Sequence, residues 1–163
     1  MPSCDVVSKL DIGEIKNAVN LAQKEIANRY DFKNSKTSLE LYDESIEILA
    51  PDEVKIKTAL DILRTRMAKR NIGMRSLEVG EIEPTGDRLF KLEIKLRKGI
   101  DKEQGKIINK IVKESGTKVS SAYLDEKLRL TSKKIDDIQT VWALIKNNAD
   151  VKVDVQMENM KRD

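Results

Sequence analysis

Residues 41–64, "LYDESIEILAPDEVKIKTALDILR", return in altered form at residues 123–146 as "YLDEKLRLTSKKIDDIQTVWALIK". With Tyr42 over Leu124, Asp43-Glu44 meets Asp125-Glu126, and Ile46 and Ile48 meet Leu128 and Leu130. Further on, Ile56, Ala59, Leu60, Ile62 and Leu63 meet Ile138, Val141, Trp142, Leu144 and Ile145. Few residues are identical. What matches is the apolar phase, first with a period of two and then with the spacing of a helix, so each copy reads as a hairpin followed by a helix. Two such copies in one chain point to an internal duplication.

The flanks extend the repeat. "CDVVSKL", residues 4–10, reads as a strand with Cys4, Val6 and Leu10 in one phase. Residues 11–30 form a helix in which Ile15, Val19, Ala22 and Ile26 make one stripe and Asp11 caps the start. The first hairpin spans residues 37–50, and the helix after it spans 51–70, with Pro51 in its first turn and a cationic end that suits the dipole. A short strand follows at 76–82, "EPTGD" interrupts, and "LFKLEIKLR", residues 89–97, alternates cleanly. Phe90, Leu92, Ile94 and Leu96 take the dry face, and Lys91, Glu93, Lys95 and Arg97 the wet one. After Gly99 the order returns: a helix at 101–115, a hairpin at 118–131, a helix at 134–147 and a last strand at 151–156. This order, strand-helix-strand-strand-helix-strand run twice, is an α+β chain of two tandem ferredoxin-like (split βαβ, RNA-binding-domain-like) domains. Two helices cover one face of each sheet. The other face is free for a ligand or for packing.

Composition narrows the function. Among 163 residues the hydrophobic share is 39% and the charged share 36%, and 31 Lys plus Arg against 28 Asp plus Glu give +3. So small an excess does not by itself argue for nucleic acid. There is no His, which removes the usual neutral-pH base and the imidazole metal ligands. A single cysteine, Cys4, permits no internal disulfide and no thiolate metal cluster, and fits a reducing, cytoplasmic setting. No apolar run approaches the roughly 20 residues of a membrane span, and the N-terminus lacks the pattern of a signal peptide. No phosphate loop occurs, since neither Gly80 nor Gly86 leads into Lys-Ser or Lys-Thr. Carboxylates such as Glu25 face cations such as Arg29 at helical spacing, and Asp136-Asp137 sit where they serve a helix start. No catalytic residue, metal site or cofactor is expected.

A binding module fits better. The aromatics are sparse (one Trp, three Tyr, two Phe), yet Tyr30 and Phe32 stand together between Arg29 and Lys33 in "RYDFKN", where a helix ends. Two readings are open, and both hold at once if one ring packs inward and the other does not. Both rings close over the core with the cations in water, or they form a platform that stacks a base while the cations meet phosphate. The outward side of the 89–97 strand offers Lys95, Arg97 and the neighbouring Lys98, again as phosphate contacts or as a solvated face. The RNP signature of RNA-recognition motifs is absent.

Several segments resemble one family: "MPSCDVVSKLD" at the start, then "RYDFKN", "LDILRTRMAKRNI", "KLRKGID" and "KKIDDIQ". Together, in order and spacing, they resemble the YajQ-like family of bacterial nucleotide-binding proteins from end to end. Cys4 stands where the family usually has Phe, and "VQMENMKRD" is less aromatic than the usual ending. The resemblance implies that the two domains exchange first strands. Residues 12–100 then form one domain, completed by strand 89–97, and residues 1–11 with 101–163 the other, in place of a simple division near Pro84. It also implies a cytoplasmic, non-enzymatic binder of nucleotides, whether cyclic di-GMP, nucleoside phosphates or RNA, and a transcription regulator as partner. On the residues, the sites are Arg29, Tyr30, Phe32, Lys33, Lys95, Arg97 and Lys98. The alternative is a protein-interaction adaptor with no obligatory nucleotide.

Overall fold

The computed structural model describes residues 1–163. In chain order the elements are β1 (Ser3–Val7), α1 (Ile12–Asn28), β2 (Ser38–Leu41), β3 (Ser45–Ala50), α2 (Glu53–Lys69), β4 (Leu77–Val79), β5 (Glu83–Pro84) and β6 (Phe90–Leu96). Then come α3 (Lys102–Glu114), β7 (Ser120–Leu124), β8 (Lys127–Thr131), α4 (Ile135–Asn147) and β9 (Gln156–Lys161). The chain is thus α+β, with four helices and two antiparallel sheets. It divides into two compact units, Leu10–Arg97 and Met1–Lys9 with Lys98–Asp163. Element starts keep the register of the repeat: Ser38 with Ser120, Ser45 with Lys127, Glu53 with Ile135.

In the unit of residues 10–97 the strand order is β2-β3-β6-β4, with β5 also on β6. The wet and dry faces of β6 follow the alternation. Leu92, Ile94 and Leu96 are buried, and they share a core with Ile46 and Ile48 of β3, Ile15, Val19 and Ile26 of α1, and Ile56, Leu63 and Met67 of α2. Each such side chain removed from water contributes about 1.5–3 kcal/mol. α1 and α2 are also joined by an ion pair, Arg66 Nη2 to Glu25 Oε1 at 2.8 Å. Asp11 caps α1 by accepting from the Glu14 amide at 3.1 Å. Asp52 caps α2 by accepting from the Lys55 amide at 2.8 Å, which leaves Pro51 one residue outside the helix.

The strand expected at 76–82 is broken. A 3₁₀ turn takes Met74–Ser76, β4 ends at Val79, and strand pairing with β6 resumes only at Glu83. Gly80 marks the break: its amide donates to the Glu93 carbonyl at 3.0 Å. A Cβ there would stand 2.9 Å from that oxygen, so only glycine lets the two backbones approach so closely.

In the other unit the order is β7-β8-β1-β9. Cys4 and Val6 of β1 and Leu128 and Leu130 of β8 face α3 and α4, where Ile108, Val112, Ile138, Val141 and Ile145 are buried. Asp101 caps α3 through the Gln104 amide at 2.8 Å. No side chain caps α4; Asp136 and Asp137 lie inside its first turn, where their charge complements the dipole. The final strand differs from the expected 151–156. Val151 and Val153 are buried in the core without forming a strand, and pairing with β1 begins at Gln156. Apolar alternation there records burial. The ladder is set by the open edge of β1, which takes up "QMENMK" across an irregular step in register near Asn159, at φ +54°.

Candidate functional site

α1 stops where Arg29 turns extended, and residues Tyr30–Phe32 make a single 3₁₀ turn. Two amides close it, Phe32 to the Arg29 carbonyl at 3.2 Å and Lys33 to the Tyr30 carbonyl at 3.1 Å. Downstream, Asn34 is at φ +62°, and the Ser35 hydroxyl donates to the Phe32 carbonyl at 2.8 Å. A turn of three residues sends side chains two apart in different directions. Phe32 therefore enters the core at 5% exposure while Tyr30 stands out at 90%. The two rings do not form one platform. One is core, the other is surface.

The cations around them are unequal. Arg29 donates through Nε and Nη2 to both oxygens of Asp31, each at 2.9 Å, and Glu25 lies 3.6 Å from Nη1. Its guanidinium carbon is 5.9 Å from the centre of the Phe32 ring, and the Lys55 ammonium is 6.0 Å from the same ring. The hydrogen bond between Arg29 and Asp31 raises the Arg29 pKa and holds the Asp31 carboxyl below its usual range. Two carboxylates thus offset Arg29, whereas Lys33 is exposed and faces no acid. The turn offers a ring with both faces wet, one uncompensated ammonium and no nucleophile.

Lys95 and Arg97 lie elsewhere in the same unit, on the sheet face away from α1 and α2. Lys95 lines a concavity of about 280 Å³ together with Lys91 and four carboxylates, Glu78, Glu81, Glu83 and Glu93. Arg97 is 3.7 Å from Glu78. Lys98 falls in the other unit. Within the unit of residues 10–97, Lys95 and Arg97 therefore do not share a site with the Arg29 turn.

Sequence reasoning passed over Asp5. It is 1% exposed on β1, yet its side chain lies on the face opposite Cys4 and Val6. Arg129 donates from Nε to Oδ1 at 3.0 Å and from Nη2 to Oδ2 at 3.5 Å; Asn159 donates to Oδ2 at 3.0 Å, and the Lys127 ammonium is 3.6 Å away. The Arg129 hydrogen bond leads in lowering the Asp5 pKa, against the opposing effect of burial. The signal available in sequence was the alternation of β8, which puts Lys127 and Arg129 outward together.

No group of three or more acidic or cysteine side chains is placed to hold a metal ion. No helix is long and apolar enough to cross a membrane. A family model described as nucleotide-binding protein YajQ-like matches residues 2–161. A nucleotide-binding protein of Desulfitobacterium hafniense (strain DSM 10664 / DCB-2) is 43% identical over 159 residues, covering 98% of this chain and 97% of the relative. One from Geobacter sp. (strain M21) is 44% identical over 161 residues, 99% of each chain. One from Geotalea daltonii is 41% identical over 162 residues, 99% of this chain and all of the relative.

Proposed function

Because the chain belongs to the YajQ-like family of nucleotide-binding proteins, we propose that it binds a nucleotide or a short nucleic acid without transforming it, at the turn of residues 29–33. The observation that carries this is Tyr30, a ring 90% exposed on an ordered turn in a chain poor in rings. An exposed ring has a π-face for any base, and base–aromatic stacking contributes about 1–3 kcal/mol per base. Lys33 supplies a phosphate contact. Arg29, held by Asp31, gives a guanidinium fixed in place, and Phe32 supports the turn from below. The acids around Lys95 and Arg97 lower the attraction of that face for phosphate, so the proposal rests on the turn.

The two units are read here as ferredoxin-like domains with exchanged first strands, residues 12–100 and residues 1–11 with 101–163. Support comes from β1, which pairs with β8 and β9, and from β6, which pairs with β3 and β4. The absence of a His base, a phosphate loop and a nucleophilic pair supports binding without chemistry.

The test is titration of nucleoside phosphates, cyclic di-GMP and short RNA at low and moderate salt, on the wild type and Tyr30→Ala. Saturable binding that weakens with salt and falls about 5- to 100-fold in Y30A is expected. Absence of saturable binding to every one of them overturns the proposal and favours the adaptor reading, in which a transcription regulator is bound without nucleotide.

A further inference from the structure

The two sheets present related positions with opposite charge. Glu47 of β3 lies across from Glu93 of β6, and Glu40 of β2 lies across from Glu47, so three carboxylates form a row. In the repeat, Glu47 corresponds to Arg129. In the other sheet the pair at this place is Arg129 of β8 across from Asp5 of β1, on the two middle strands. One face repels an anion at its centre. The other places a cation there.

That cation is held in position. Asp5 engages Arg129 through Nε and Nη2, which leaves the Nη1 side of a 55%-exposed side chain directed to no protein group. Lys127, two residues away on the same face, stands at the strand repeat of about 6.6 Å. A single carboxylate faces these two cations, so a positive charge is left over. The next acid along β1's other neighbour, Glu158, is taken up by Lys9 at 2.8 Å. Asn159, at φ +54°, donates to the second oxygen of Asp5 at 3.0 Å and so helps fix the carboxylate that holds Arg129.

The geometry points to an anion site on this face, in which the free edge of the Arg129 guanidinium and the Lys127 ammonium bind a phosphate group, with Asp5 fixing the guanidinium. No ring lies among the outward residues of the middle strands, so the site takes phosphate and contributes no stacking. It is independent of the Tyr30 turn, which lies in the other unit.

The experiment follows full-length protein by ¹H–¹⁵N spectra, including the arginine Nε–H resonances, during titration with inorganic pyrophosphate at about 50 and 200 mM salt. The expected result is a saturable shift of the Arg129 Nε–H and of amides in residues 120–131, weaker at the higher salt. Arg129→Gln lowers the affinity tenfold or more, Lys127→Gln lowers it less, and Tyr30→Ala leaves it unchanged. If Arg129→Gln alone does not fold, the Asp5→Asn/Arg129→Gln pair removes the cation without stranding a buried carboxylate, and the same loss is expected. Unchanged affinity in these variants, shifts confined to residues 29–33, or no saturable response to pyrophosphate would each overturn the site. Nucleotide binding lost in Y30A together with pyrophosphate affinity unchanged in R129Q leaves the proposed function standing and this site refuted.

Discussion

The ring of Tyr123 rests on Gly105: a Cβ on that glycine would stand 2.6 Å from Cδ1. The ring cannot move aside freely, because the Tyr123 hydroxyl donates to the Ile100 carbonyl at 2.6 Å. Gly105 is helical, so alanine would gain about 1 kcal/mol from propensity, but it meets an aromatic ring that is tied at its far end. Overpacking of this kind costs about 1–3 kcal/mol. Gly105→Ala is therefore expected to lower the stability measured by urea unfolding. Tyr123→Phe is expected to cost about 0.5–1.5 kcal/mol by loss of its bond alone.

Tyr30 and Phe32 should separate in the laboratory as they do in space. Phe32→Ala removes a ring that is 5% exposed and flanked by Arg29 and Lys55. A loss of about 3–5 kcal/mol is expected. Tyr30→Ala should leave the melting temperature within about a degree or two, a surface change usually staying inside ±0.5 kcal/mol. Thermal unfolding of both variants checks this. Equal destabilisation would mean that Tyr30 is core.

Asp5 makes the unit of residues 98–163 with β1 sensitive to acid. Its folded-state pKa lies below the ordinary carboxyl value, chiefly through the Arg129 hydrogen bond. The stabilisation is thus complete at neutral pH, and it is lost as pH falls below about 4 toward the lowered folded-state value. Asp5→Asn should cost about 1–3 kcal/mol at pH 7. It should also flatten the decline of melting temperature between about pH 5 and 2.5. A wild type and variant with parallel acid profiles would assign the sensitivity elsewhere.

Cys4 is 1% exposed in the core beneath α3 and α4, and burial, with the adjacent Asp5 charge, pushes its thiol pKa up to about 11. The thiolate is the reactive form, so the native protein should resist a thiol reagent at pH 8 and react fully in denaturant. Labelling of the native protein at the rate of the denatured one would contradict this burial.

Much of the architecture could be read from spacing, for stated reasons. Ile46-Ile48 and Leu128-Leu130 keep a period of two, which burial on one face enforces locally, so the repeated hairpins stand where the pattern put them. The helix start at Asp11 was legible because a cap is a matter of three residues; at the second helix the cap is Asp52 and Pro51 lies outside. β9 was not. Its sequence has little strand character, and what selects it is a vacant edge contributed by residues at the far end of the chain. The same holds for the surface. The alternation of β8 sets Lys127 and Arg129 outward, but Asp5, their acceptor, is 124 residues from Arg129 along the chain, and no local pattern links them. At the turn of 29–33 the sequence held both rings and both cations but left their directions open, because a 3₁₀ turn and a longer helix would aim Tyr30 differently.

One consequence follows from β1 lying inside a sheet built otherwise from residues after 98. During synthesis, the first strand leaves the ribosome long before its neighbours exist. Residues 10–97 are complete for folding early, while the leading nine residues must wait unpaired until β8 and β9 emerge. An N-terminal truncation or a bulky fusion placed against Ser3 would therefore damage the unit made after residues 10–97.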